Sequence, residues 1–167
     1  MARLRRVVTG HSANGKSKVI FDGAPPNSDG GMAELWRTMD RTPNRGNAEA
    51  GGIHTEMEAP IGGTLFRYLE MPPGMGRATA EEFKGMLKAM NADHALGDQS
   101  RHPMMHRTNS IDYIVVLAGQ ITLLLDEGEV TVGPNEVIVQ RGTSHAWENR
   151  GAEPVRLVAV NVNCEPL

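Results

Sequence analysis

Cysteine is almost missing from this chain: Cys164 stands alone among 167 residues. A single thiol excludes an intramolecular disulfide framework and every zinc motif built on several cysteines, so a metal site here must draw on histidine and carboxylate. Aromatic residues are scarce as well, with three Phe, two Trp and two Tyr. The core is therefore left to aliphatic side chains and to ten Met. No apolar run approaches the ~20 residues of a membrane span. The basic cluster Arg3, Arg5 and Arg6 is followed only by Val7 and Val8, short of the apolar stretch of about 7–15 residues in a secretory signal. Neither charge sign dominates: 17 Lys+Arg face 20 Asp+Glu, a net charge of −3 with no basic stripe, which argues against nucleic acid as a partner. What remains is the profile of a soluble, cytoplasmic domain with a reduced cysteine and enough length to bury a core of its own.

Gly (19) and Pro (10) are plentiful and punctuate short β-prone runs. Residues 4–9 and 17–21 flank Asn14-Gly15, a hairpin signal, and residues 33–39 predict a further strand. Residues 43–63 have no periodicity and read as an extended loop. Thr64–Met71 is a strand stopped by Pro72-Pro73-Gly74. A helix is predicted from Thr79 to about Asp93: Thr79 and Glu82 form a capping-box pattern, and Phe83, Met86, Leu87 and Met90 make one apolar stripe that packs on a sheet or a partner. From Ile111 onward every segment is β: 111–117, 120–125, 129–132, 136–140, 146–149 and 155–162. So many short strands at regular spacing predict an all-β sandwich or barrel.

Gly10-His11-Ser12-Ala13-Asn14-Gly15-Lys16-Ser17 matches G-x-x-x-x-G-K-[ST] letter for letter. A phosphate-binding loop requires a helix immediately after it, because the amides at that helix start hold the phosphates. Lys18-Val19-Ile20-Phe21 follows instead, a β-branched and aromatic run. The segment therefore reads as a hairpin turn, and no nucleotide cofactor is expected.

The remaining polar cluster lies in the last third. His106, Thr108 and Asp112 have equal parity and would share a face if one strand carried them; His145 and Trp147 likewise share a face. Inside a barrel such faces converge, and two imidazoles with a carboxylate form an N/O donor set for a divalent metal. These residues resemble the two signature motifs of the cupin superfamily. His106, Thr108, Asp112 and Gly119 stand at the spacing of its first motif, and Pro134, Gln140, Gly142, His145 and Asn149 at that of its second. The chain departs from the pattern where Thr108 replaces the second His, Asp112 the Glu, Pro134 a Gly and Gln140 a Pro.

The resemblance implies a jelly-roll β-barrel over residues 64–167, with a helical insert at 79–93 before the first motif and residues 1–63 as N-terminal strands and loop packing on it. It further implies a small-molecule ligand, a homodimer, and a divalent metal (Fe, Mn, Zn or Ni) on His106, Asp112 and His145. If the protein is an enzyme, lyase, decarboxylase, isomerase or dioxygenase chemistry follows. The alternative is a metal-free, non-catalytic ligand-binding barrel or a dimeric interaction barrel with the helix as its interface. His102 is a further candidate ligand, although Pro103 disfavours the helix that would align it with His106. Thr108, Trp147 and Gln140 are pocket candidates. So is Arg67, provided that its strand turns that face inward rather than to solvent. Tyr113, of opposite parity to Asp112, is expected to point outward or into a dimer contact. Asn149 reads as a turn residue, and His11, His54 and His94 as surface histidines.

Overall fold

In the computed structural model the described residues are 4–26, 31–42, 46–52 and 56–166. His54, Arg3 and part of the 43–63 loop lie outside them. Among the described residues there are ten strands and one α-helix: β1 (Arg6–His11), β2 (Ser17–Gly23), β3 (Met32–Thr38), β4 (Thr64–Met71), α1 (Ala80–Ala89), β5 (Ser110–Ala118), β6 (Ile121–Leu125), β7 (Glu129–Val132), β8 (Val137–Arg141), β9 (His145–Glu148) and β10 (Val155–Asn163). They form a five-stranded sheet in the order β3-β4-β10-β5-β8, a three-stranded sheet β7-β6-β9, and a separate hairpin β1-β2. The two larger sheets face each other, forming the expected all-β jelly roll. Ile114, Val116, Leu157 and Ile138 from one meet Ile121, Leu123 and Val132 from the other in a single core. None of the helices is long and apolar enough to cross a membrane, among the described residues.

Alternation explains the sheets. On β5, Ser110, Asp112, Ile114 and Val116 are buried and the residues between them are not. On β10 the inward set is Val155, Leu157 and Ala159. Gly119 turns the chain between β5 and β6 at φ +73°, and a Cβ there would lie 2.9 Å from Pro154 O and Val155 Cα, so only glycine fits. β3 pairs with β4 along Met32–Thr38, so the main sheet reaches across the boundary expected at residue 63. The hairpin alone stands apart. Its turn is closed by Gly15 N–H donating to Ser12 O, with Gly15 at φ +77°, and β2 begins at Ser17. The phosphate-loop lookalike is thus a β-turn.

α1 is shorter than its sequence pattern. Asn91 takes a left-handed φ of +53°, and Ala92 N–H reaches back to Leu87 O at 2.8 Å while Asn91 N–H donates to Lys88 O, a Schellman end that stops the helix at Met90. A short 3₁₀ turn, Asp93–Ala95, follows. The start is as expected: Glu82 N–H donates to Thr79 Oγ1 at 3.3 Å, and Thr79 N–H donates to Glu82 Oε2 at 2.8 Å. Phe83 and Leu87 are buried against Met104, Met105, Leu124 and Ala146, so this part of the helix's apolar stripe packs on the barrel, while Met86 stays exposed. Replacing Thr79 by Ala removes one half of the capping box and should cost about 1 kcal/mol of stability, measured as a shift in the urea midpoint; an unchanged midpoint would mean that α1 is held by packing alone.

Candidate functional site

The site begins with a backbone pair. His106 N–H donates to His145 O at 2.9 Å, and His145 N–H donates to His106 O at 2.8 Å. Residues that exchange both bonds stand directly opposite each other in an antiparallel ladder, with their side chains on one face. The imidazole centroids are accordingly 4.3 Å apart. His145 starts β9, and Trp147, two residues on, meets its ring edge at 5.5 Å, sharing its face as the parity predicted. Phe83 of α1 covers His106 at 5.4 Å.

His106 does not lie on the strand of Asp112, as the parity argument assumed. It bridges Leu96 and His145 beside the three-stranded sheet, whereas β5, which carries Asp112, belongs to the other sheet. The two come to one cavity because the sheets face each other.

That cavity has a volume of about 410 Å³. His106, His145, Asp112, Thr108, Trp147 and Arg67 all border it. Most of the rest is apolar, including seven of the ten methionines: Met32, Met57, Met71, Met75, Met86, Met90 and Met104. Unbranched thioether side chains make adaptable walls that follow the shape of an apolar guest. Helix α1 contributes Phe83, Met86, Leu87 and Met90 as the cover.

Most polar groups in the cavity are fixed by a definite partner, Arg67 Nε and Asn161 Oδ1 being buried without one. Nδ1 of His106 is 2.9 Å from Met104 O, and Nδ1 of His145 is 2.8 Å from Thr143 O. A carbonyl only accepts, so both imidazoles carry their proton on Nδ1 and leave Nε2 as an acceptor. Burial disfavours the imidazolium: His145 is pushed down to about 3 by desolvation and then by the neighbouring His106. His106 is lowered by desolvation too, against the opposing pull of Met104 O and Asp112. Asp112 is held by Ser110 Oγ at 2.7 Å, in turn 2.9 Å from Thr108 Oγ1, and by the side chain of Asn161 opposite it on β10. Desolvation raises its carboxyl despite those bonds. Arg67 points inward, only 5 % exposed, and its guanidinium donates to Met57 O at 2.7 Å and to Glu56 O.

Other expected site residues go elsewhere. His102 does not border the cavity: its Nε2 is 3.0 Å from Glu148 Oε1, and its Nδ1 accepts from Met104 N–H. Gln140 sits opposite Asp112 in register, but its amide donates to Thr143 Oγ1 at 2.5 Å and braces that turn instead of lining the pocket. Asn149 ties its own turn to β4, donating to Met71 O and Glu153 O. Tyr113 faces outward. His94 pairs with Glu58, and the backbone of His11 with Asn47. Sequence reasoning missed Asn161 and Ser110. Their signal was a polar residue in the inward register of an otherwise apolar strand.

The donor set bears on the implied metal. Two neutral imidazoles with Nδ1 tethered to carbonyls resemble the outer-shell arrangement of metal-bound histidines. Asp112 does not complete them: among the described residues, no three His, Cys, Asp or Glu side chains gather closely enough to hold one ion. The residues present therefore do not make a three-ligand centre.

The same burial gives a pH signature. His145 at about 3 lies below its ordinary 6.5, so the unfolded chain takes up protons that the folded chain refuses as pH falls between those values. Its contribution is complete above 6.5 and lost on acidification; His106 acts in the same direction. Asp112, raised above 3.8, acts oppositely, contributing below 3.8 and fading as pH rises. The denaturant midpoint should fall as pH drops from 6.5 to 5, and fall less in His145→Asn; parallel curves would remove His145 as a cause.

A cupin domain model matches residues 95–161, the segment carrying both histidines and Asp112. "Phomopsin biosynthesis cluster protein C'" of Diaporthe leptostromiformis is 33% identical over 164 residues, covering 97% of this chain and 79% of that protein. "Cupin-domain-containing oxidoreductase virC" of Hypocrea virens is 39% identical over 67 residues, 38% of this chain and 34% of that protein's length. Among solved structures, an RmlC-like cupin family protein with a double-stranded β-helix fold from Methanocaldococcus jannaschii overlaps 60% of this chain and 70% of its own, with a TM-score of 0.41 at 12% identity. Since a relative aligns along nearly the whole sequence and the domain model falls on the strands around the two histidines, the chain belongs to the cupin family.

Proposed function

We propose that the protein binds a small, predominantly apolar organic molecule inside the barrel, with a hydroxyl or other proton donor of that molecule set against Nε2 of His106 and His145. The observation that carries this reading is the methionine-lined cavity of about 410 Å³ with its polar groups confined to one cluster. Pockets of this size and make-up hold small organic ligands, the apolar wall giving affinity and a few polar groups giving orientation. A general base works best near the operating pH, about 7. His145, held at about 3, is too weak for that task and serves instead as a hydrogen-bond acceptor that orients the ligand. Arg67 and Asp112 border the same space and reward a ligand with a second polar group.

The relative named as a biosynthesis-cluster protein and the one named as a cupin-domain-containing oxidoreductase support a guest drawn from a biosynthetic route. Among the described residues the donor set falls short of three close ligands for one ion, so the ligand is held by the protein's own hydrogen-bonding groups.

Trp147 gives a direct readout. Titration with a neutral apolar phenol such as 2-naphthol should quench tryptophan fluorescence, and His145→Ala should weaken binding at least tenfold, roughly 1.4 kcal/mol. Equal affinity in wild type and variant would sink the proposal. Elemental analysis of the freshly purified protein runs alongside: stoichiometric divalent metal that His145→Ala abolishes would replace this reading with a metal-held ligand.

A further inference from the structure

Two buried polar atoms on the cavity wall are left without a hydrogen-bond partner, Nε of Arg67 and Oδ1 of Asn161. Strand register makes them neighbours. Arg67 on β4 stands opposite Ala159 on β10, and Asn161 lies two residues further along β10, so the two side chains are diagonal neighbours on the inward face. Diagonal pairs lie about 7–8 Å apart at the backbone, within reach of long side chains. One unpaired atom is a donor and the other an acceptor.

The surroundings fix both groups in this state. Asn161 stands directly opposite Asp112 on β5, and its side chain is bonded to that carboxylate. A carboxylate only accepts, so the amide nitrogen faces Asp112 and the amide oxygen is left over. In Arg67 the terminal nitrogens donate to Met57 O and Glu56 O, which holds the guanidinium in place with Nε unspent. A buried donor or acceptor without a partner carries the full cost of its desolvation. A guest that supplies both partners recovers that cost on binding.

Charge and hydrogen-bonding capacity narrow the guest further. Glu34 and Glu56 pair with Arg37, and Asp112 borders the cavity together with Arg67. No positive charge is left over for an anion, and Asp112 repels one. An ether or ketone oxygen would serve Nε and leave Oδ1 unpaired. The smallest neutral group that serves both is a hydroxyl, which accepts through a lone pair and donates its hydrogen.

We propose that Arg67 and Asn161 select a guest with a second hydroxyl, held between Nε–H and Oδ1, so that the ligand class is a neutral apolar diol. The assignment rests on the binding mode proposed above, in which the first hydroxyl meets the histidine pair. Arg67 and Asn161 are then specificity residues that reject ethers and acids of the same shape.

Calorimetric titration of the full chain with 2-naphthol and with 1,3-, 2,6- and 2,7-dihydroxynaphthalene tests this, the three diols setting their oxygens at different separations. Sites built around a substrate hydroxyl discriminate strongly against analogues that lack it, so the best diol should bind at least roughly tenfold more tightly than 2-naphthol. Its monomethyl ether, and the hydroxynaphthoic acid of the same substitution pattern near neutral pH, should lose that gain. Asn161→Ala and Arg67→Lys should each shrink the ratio of diol to 2-naphthol affinity; if a variant fails to fold, the wild-type series decides alone. Equal affinity for 2-naphthol and all three diols, with 2-naphthol binding still dependent on His145, would overturn this inference and leave the binding mode standing. So would an ether or acid that binds as tightly as the diol, or a diol preference that both variants retain. Failure of every compound to bind would overturn the binding mode and the diol assignment together.

Discussion

Two backbone hydrogen bonds between His106 and His145 hold the site together. They set the segment before β5 against the start of β9 in antiparallel register, which brings two imidazoles within 4.3 Å without any bond between the rings. A slip of one residue would turn one ring to the opposite face. Their surroundings follow from this pairing. Each Nδ1 finds a carbonyl two residues back in its own chain, at Met104 and Thr143, so the rings are oriented locally while the ladder fixes their separation. Phe83 and Trp147 then pack against the outer sides of the pair, excluding water and holding both rings uncharged.

The polar residues of the cavity illustrate what a sequence reveals and what it conceals. Strands were legible because turn residues bracket β-branched runs; Thr64–Met71 and Glu129–Val132 fall at the same boundaries in sequence and structure. The start of α1 was legible from its capping box. Its end was not, because Asn91 adopts the left-handed conformation that glycine would have advertised. His106 and His145 were legible through motif spacing, but the reason offered for grouping them with Asp112 was strand parity, and His106 lies outside that strand. Long-range pairing decided the matter, and local periodicity carries no record of it. His102 and Gln140 illustrate the same limit. Their spacing placed them near the site, whereas Glu148 and Thr143 take up their polar atoms.

One simple pattern marks the cavity's polar wall. On three strands adjacent in the sheet, the inward register is apolar apart from a polar group that comes together across them: Arg67 between Leu65 and Leu69 on β4, Asn161 and Asn163 after Leu157 and Ala159 on β10, and Ser110 and Asp112 before Ile114 and Val116 on β5. Burying a guanidinium, an amide and a carboxyl without partners would cost several kcal/mol each. Backbone carbonyls at Glu56 and Met57 meet Arg67, and Ser110 and Asn161 meet Asp112. The loop that carries Glu56 and Met57 has no periodicity in sequence, yet its carbonyls accept from both terminal nitrogens of buried Arg67, leaving Nε unpaired, and it adds Met57 to the wall.

β5 joins these constraints. Its inward residues carry Asp112 to the cavity and Ile114 and Val116 to the core, and its outward residues Tyr113, Val115 and Leu117 remain apolar where solvent would favour polar side chains. The inner face of β5 is covered by the three-stranded sheet, which fixes its position and, with it, that of Asp112 on the cavity wall. The opposite wall is built from α1 and from methionines, whose unbranched side chains repack readily. In the proposed binding mode, those walls adapt to the shape of the guest, while the polar cluster that orients it stays fixed.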